Sequence, residues 1–291
     1  MSTPAALRSR AEDLAAPLPP LLAEAEHLAA TVLLGEHGRR RAGMGDEFWQ
    51  YRPATPGDEA RSIDWRRSGR SDQHFVREKE WQAAQSVLIW VDDAQSMRFA
   101  GDASHVSKAG RARVLALALS VLLIRGGERV GLSGFDLPPR RGELQLLRLA
   151  EAFSHEGAAP DYGVPEARGM LPHSRALFLS DFMGDMAPVE AALAKAADRG
   201  VKGALLQVLD PQEEAFPFDG RTIFESMSGS LRHETLKAGD LRGRYLERLA
   251  QRKARLADLA RIAGWHYDCH HTGESAQGAL LWLFRALERV R

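Results

Sequence analysis

The stretch that decides the fold is "SVLIWVDDAQSM", Ser86 to Met97. An apolar run that stops abruptly at two aspartates, a polar pair and a serine reads as a buried strand whose carboxyl end emerges at a surface. Open α/β sheets bind their ligands at such ends. Outward from it the chain alternates. Strand Val87–Val91 is followed by a helix at Lys108–Arg125, strand "RVGLSGF" (129–135), a helix over 144–153, strand "RALFLSDF", helix 188–199 and strand "KGALLQVLD". The segment "FPFDGRTIFESMSGSLRHETL" alternates about a Ser-Gly-Ser turn and predicts a β-hairpin, before a long helix over 241–263, strand "WHYDCHH" and a last helix "AQGALLWLFRALERV". The expected fold class is α/β: a doubly wound, mostly parallel, Rossmann-like sheet covered on both faces.

Upstream, "LLAEAEHLAATVLLG" after Pro20 predicts an amphipathic helix with Leu21, Ala25, Leu28 and Val32 on one face. Between Gly35 and Glu80 glycines and prolines punctuate short segments dense in arginine, aspartate and aromatics, the pattern of a small β-rich subdomain. The expected organisation is therefore an N-terminal helical segment (1–34), a β-rich subdomain (35–85) and an α/β domain (86–291).

The chain has 291 residues, 44% hydrophobic and 27% charged, enough for a substantial core. Its 39 Lys plus Arg balance 39 Asp plus Glu, so no global field selects nucleic acid or anionic membrane. One cysteine, Cys269, rules out an internal disulfide framework and suits a reducing compartment. The N-terminus carries Glu12 and Asp13 where a signal peptide would be apolar. The most apolar run, Val114 to Ile124, has 11 residues, well short of the roughly 20 that span a bilayer. A cytoplasmic protein with no membrane insertion is expected.

Two strands end in an aspartate, Asp92 and Asp181, and neighbouring strands would bring both into one crevice with Ser96. Carboxylates and a hydroxyl suit a hard cation such as Mg²⁺ or Mn²⁺. "VDDAQSM", with "FLSDF" after it, resembles the von Willebrand factor A domain and its metal-ion-dependent adhesion site, whose first motif is Asp-x-Ser-x-Ser. The stretch "GMGDEFWQYRPATPGDEARSIDWRRSGRSDQHFVREKEWQ" (43–82) is similar to the signature of the bacterial family called domain of unknown function number 58. That resemblance implies an A-type domain and a partnership with a MoxR-type AAA+ ATPase. Carried over, it assigns metal ligation to Asp92, Ser96 and Asp181. Ala94 stands where the middle serine belongs, and "HEGAAPDYG" offers Asp161 but no threonine, so the expected site is degenerate and any Mg²⁺ or Mn²⁺ weakly held. Asp93 and Asp161 are candidate replacements. The alternative is a metal-free polar rim, with Asp92 and Asp181 held by helix N-terminal amides or an arginine.

In "YRPATPGDEARSIDW" a Pro-Gly turn brings Arg52, Asp58, Arg61 and Asp64 within pairing distance. They are either ion pairs that hold the subdomain, with Trp49, Tyr51 and Trp65 as its small core, or, with Trp65, a docking face for a protein partner. Nucleic-acid binding through Arg39 to Arg41 and "WRRSGR" is disfavoured, because between His37 and Glu80 ten Lys plus Arg face eight Asp plus Glu, an excess of two. In "WHYDCHH" strand alternation separates Cys269 from His266 and His270, which argues against a zinc site and for an inert core thiol. Nucleophile-elbow and phosphate-loop motifs are absent from the sequence.

The expected function is a non-enzymatic protein–protein interaction module, an adaptor between a MoxR-type AAA+ ATPase and a client protein. The alternative is a metal-dependent hydrolase in which Asp92, Asp93 and Asp181 hold Mg²⁺ or Mn²⁺ to activate water.

Overall fold

A computed structural model describes residues 20–36, 48–55, 63–69, 73–79, 84–102, 106–135, 137–155, 159–226, 229 and 232–288. The chain divides into two compact units, one made of residues up to Gly35 together with Gln85 onward, the other of Glu36–Ala84.

In the smaller unit, β1 (Phe48–Pro53) pairs antiparallel with β2 (Phe75–Lys79). The connecting segment contains the short helix α2 (Trp65–Ser68), which follows α1 (Pro20–Glu36) of the larger unit in chain order. Asp64 caps α2, its Oδ1 accepting from the Arg67 amide at 3.0 Å. Trp65 does not enter a small core as expected. Its position at the start of α2 leaves the indole 60% exposed, with its edge against His74.

The larger unit carries a six-stranded sheet. Its elements after α1 are β3 (Ser86–Val91), α3 (Lys108–Arg125), β4 (Arg129–Leu132), β5 (Leu137–Arg140), α4 (Glu143–Ser154), β6 (Arg175–Ser180), α5 (Met186–Asp198) and β7 (Lys202–Leu209). There follow α6 (Pro211–Ala215), the hairpin β8 (Thr222–Glu225) and β9 (Arg232–Thr235), α7 (Gly239–Ala263), β10 (His266–His271) and α8 (Ala276–Glu288). The spatial order is β10-β7-β6-β3-β4-β5, parallel except for β5, which runs antiparallel to β4. The predicted α/β architecture and most of its elements are therefore present.

Strand alternation sends residues to two cores. Val87, Ile89, Leu177, Leu179 and Leu206 pack with α3 and α8 on one face, while Leu88, Trp90, Phe178 and Leu205 pack with α5 and α7 on the other. The helix α3, apolar almost all round, is buried accordingly, with Leu115, Leu117 and Leu119 fully enclosed. Helix α1 joins the first core through Leu22, Ala25, Ala29 and Val32, so Ala25 and Val32 are buried as expected, while Leu22 and Ala29 take the places of Leu21 and Leu28, which flank the stripe.

The strand expected over 129–135 stops at Leu132. Gly134, at φ 83°, turns the chain into β5, which runs through Pro138 and Pro139. Prolines lack the N–H a central strand needs and are confined to edges, which is where β5 lies. Gly131 permits its approach, since a Cβ there would stand 2.7 Å from the Leu137 carbonyl oxygen. Among the described residues no helix is long and apolar enough to cross a membrane.

Candidate functional site

The chain order along the sheet reverses between β3 and β6, and the two strand-end aspartates follow these neighbours directly. Both are buried, each 1% exposed. Asp92 Oδ1 accepts from the Ala94 amide at 2.9 Å, and Oδ2 accepts from the Ser180 hydroxyl at 2.6 Å. Burial pushes its pKa up to about 6, against these two hydrogen bonds, with Asp181 and Asp93 adding repulsion. Asp93 itself turns outward and is exposed, as alternation predicts.

The loop beyond β6 is tightly fixed. Phe182 adopts φ 50°, in the left-handed region that non-glycine residues avoid. Its ring is buried near Trp90, its amide donates to Ser180 Oγ, and Arg252 of α7 donates to the carbonyls of Phe182 and Gly184 at 2.6 and 2.7 Å. Asp181 Oδ1 accepts from the Met183 amide at 2.9 Å. Opposite, the amides of Gln95 and Ser96 donate to the carbonyls of Pro160 and Asp161, which lays the 160–163 loop over Asp92. Gly163 is needed there, because a Cβ would fall 2.1 Å from Asp92 Oδ1.

The sequence reading missed the cation. Lys108, the first residue of α3, extends Nζ to 2.8 Å from Asp181 Oδ2 and 2.6 Å from Glu213 Oε1, and is 1% exposed. Burial alone would lower its pKa, but the two carboxylates outweigh burial and raise it, so the ammonium stays charged. Burial raises the Glu213 pKa even though Lys108 opposes it. Phe99 lies 5.7 Å from Nζ with its ring face towards the charge. A signal did exist in the sequence: a lysine in the first turn opposes the helix dipole and wants a compensating anion.

The crevice between these groups is about 150 Å³ and is lined by Ser96, Lys108, Asp161, Asp181, Glu213 and Glu225, among others. Ser96, Asp161 and Asp181 line it together, with Asp92 buried beside them. As arranged, they do not fit a divalent metal. The oxygen of Asp181 that a cation would take already faces the Lys108 ammonium, and both Asp92 oxygens accept hydrogen bonds from the protein. The Ser96 hydroxyl is buried and, among the described residues, has no hydrogen-bond partner. The carboxylates around the crevice also press on Tyr245, whose pKa burial, Glu213 and Asp181 push up to about 12.

Of the second predicted set, Asp64 is the α2 cap and Trp65 is exposed beside it. Arg52 lies on β1 opposite Val76. Asp58 and Arg61 lie outside the described residues.

Comparison with known proteins places the larger part of the chain in one family. The model of the family described as "Protein of unknown function DUF58" matches residues 50–255. The chain belongs to the DUF58 family. This DUF58 protein is 26% identical over 277 residues to uncharacterized protein Mb1516 of Mycobacterium bovis, covering 90% of this chain and 86% of the relative. Uncharacterized protein Rv1480 of Mycobacterium tuberculosis matches to the same extent. Among solved structures, an aerotolerance-related membrane protein from Bacteroides fragilis aligns with a TM-score of 0.45 at 15% identity, over 71% of this chain and 100% of that one. BatB from Bacteroides thetaiotaomicron aligns with a TM-score of 0.43 at 16% identity and the same coverage.

Proposed function

We propose that this DUF58 protein is a non-enzymatic protein–protein interaction module with a von Willebrand factor A-like domain, acting in the cytoplasm as an adaptor for a MoxR-type AAA+ ATPase in the assembly or remodelling of a client. The observation that carries the reading is the crevice itself. At about 150 Å³ it takes one side chain of a partner and is smaller than an ordinary small-molecule pocket of roughly 300 Å³ or more. Its own cation, Lys108, is already spent on Asp181 and Glu213, so it is poorly arranged to hold a metal and activate water.

The sheet order, with β3 central and one antiparallel edge strand, supports an A-like domain. The choice of an ATPase as partner rests on the family resemblance of the 43–82 stretch. The exposed Trp65 supports a docking role for that stretch, since tryptophan is among the residues that most often anchor interfaces. In the crevice Asp161, Asp181, Glu213 and Glu225 outnumber Lys108, so an inserted partner side chain would be basic.

The test is affinity capture from the native host with this chain as bait, with and without ATP, and identification of the bound proteins by mass spectrometry. Recovery of an AAA+ ATPase with wild-type bait, and its loss with Trp65→Ala, is expected. Failure to recover any such ATPase in either nucleotide condition rejects the adaptor reading. A phosphatase and nuclease screen with Mg²⁺ or Mn²⁺ is expected to show no metal-stimulated turnover.

A further inference from the structure

Away from the crevice, three chemically different donors converge where β10 meets the segment after β7. Cys269 and His271 are two residues apart on β10, so alternation places both side chains on one face of the sheet. Glu214 reaches them from α6. The thiol sulfur, an imidazole nitrogen and a carboxylate oxygen all lie within 4.8 Å of one another. Alternation does separate Cys269 from His266 and His270, as the sequence predicts, but the same rule pairs Cys269 with His271.

The imidazole is turned for ligation. His271 Nδ1 lies 3.1 Å from Glu274 Oε1; with the ring proton on Nδ1 the imidazole donates to this carboxylate and Nε2 presents its lone pair. Metal-bound histidines commonly hand their second ring N–H to a carboxylate in this way. Nε2 is buried, makes no hydrogen bond among the described residues, and lies 3.2 Å from Glu214 Oε2. Tetrahedral coordination at bond lengths of about 2.1 Å separates two such ligand atoms by roughly 3.4 Å.

We infer that Glu214, Cys269 and His271 form a site for a zinc-type transition-metal dication. One thiolate, one imidazole and one carboxylate, with water as the fourth ligand, suit Zn²⁺ and do not suit Mg²⁺ or Ca²⁺. Without metal, the Lys253 ammonium of α7 contacts the Glu214 carboxylate and the Cys269 thiol. Lys253 is 26% exposed and has an open route to solvent when a dication replaces it. Binding releases the thiol proton to solvent and forms the metal–sulfur bond. Because Glu213, the neighbour of Glu214, holds Lys108, the metal would also brace the wall of the crevice.

The test is titration of chelator-treated full-length protein with Co²⁺, read by absorbance, followed by Zn²⁺ competition against a chromophoric chelator. One Co²⁺ per chain is expected, with tetrahedral ligand-field bands and a thiolate-to-cobalt charge-transfer band. Cys269→Ser is expected to abolish the charge-transfer band, and His271→Gln and Glu214→Gln to weaken Zn²⁺ binding at least tenfold. Glu274→Gln is expected to weaken it about 10- to 100-fold by freeing the imidazole, and Asp92→Ala to leave it unchanged. A wild-type protein without the charge-transfer band, or Cys269→Ser and His271→Gln variants that bind Zn²⁺ like wild type, overturns the inference.

Discussion

Lys108 Nζ and Asp181 Oδ2 lie 2.8 Å apart at the carboxyl edge of the sheet, and each side chain is 1% exposed. Neither charge has water to fall back on, so removing Lys108 strands the Asp181 carboxylate, whereas removing Asp181 leaves Lys108 with Glu213 alone. Lys108→Met is expected to cost about 3–5 kcal/mol, measured by urea denaturation. Adding Asp181→Asn to that variant should recover part of the loss, with Glu213 keeping the remainder. A single substitution that costs less than about 1 kcal/mol would show that the pair does not organise the crevice.

Asp92 and His270 give stability opposite slopes with pH. The folded-state pKa of Asp92 is raised to about 6, so between about pH 4 and 6 the folded chain binds the proton more tightly. This contribution is present at low pH and is lost as pH rises through that window. Burial and, next, Arg111 lower the His270 pKa to about 4, so its contribution is present above about pH 6.5 and is lost as pH falls towards 4. Each amounts to about 3 kcal/mol at 1.36 kcal/mol per pKa unit, and the two nearly cancel between pH 4 and 6. Asp92→Asn should therefore expose stability that rises with pH across this range, and His270→Gln stability that falls. Denaturation midpoints at several pH values measure both, and parallel profiles for the two variants would contradict the assignment.

Asp64 and Trp65 are adjacent but do different work. Asp64→Ala removes the α2 cap and should cost about 1 kcal/mol. Trp65→Ala, at a 60% exposed position, should change stability by no more than about 0.5 kcal/mol while removing capture of the partner. Thermal melts beside the capture assay separate the two effects.

Gly163→Ala should destabilise the chain by about 1–3 kcal/mol, because the new methyl would fall on the Asp92 carboxylate. It should also shift the Asp92 titration, which carboxyl NMR can follow. A variant with wild-type stability would mean that the 160–163 loop gives way easily.

The pattern of strands and helices was readable because β3, β6 and β7 are apolar runs that end sharply, and α3 is apolar over its whole length. The approach of Asp92 and Asp181 beside Ser96 followed from strand-end placement, whereas Asp161 arrives on the 160–163 loop and is, from the sequence, only a candidate replacement. What could not be read came from contacts distant in the chain. Lys108 is 73 residues from Asp181 and 105 from Glu213, and their meeting depends on where α3 begins relative to two other strand ends. The antiparallel β5 was hidden because its two prolines look like a loop. At β10 alternation separates Cys269 from His266 and His270 as expected, while the approach of Glu214, 55 residues before Cys269 in the chain, could not be read from spacing.

The prolines of β5 also set a limit on how copies of this chain meet. A strand arriving from another molecule at that border of the sheet meets two consecutive prolines, one of which must face outward without an N–H to give, so the ladder is interrupted there. Growth of the sheet from molecule to molecule is thereby stopped on one side. In a crowded cell the six-stranded sheet is guarded on that side against edge-to-edge aggregation, and its other border, β10, carries no proline.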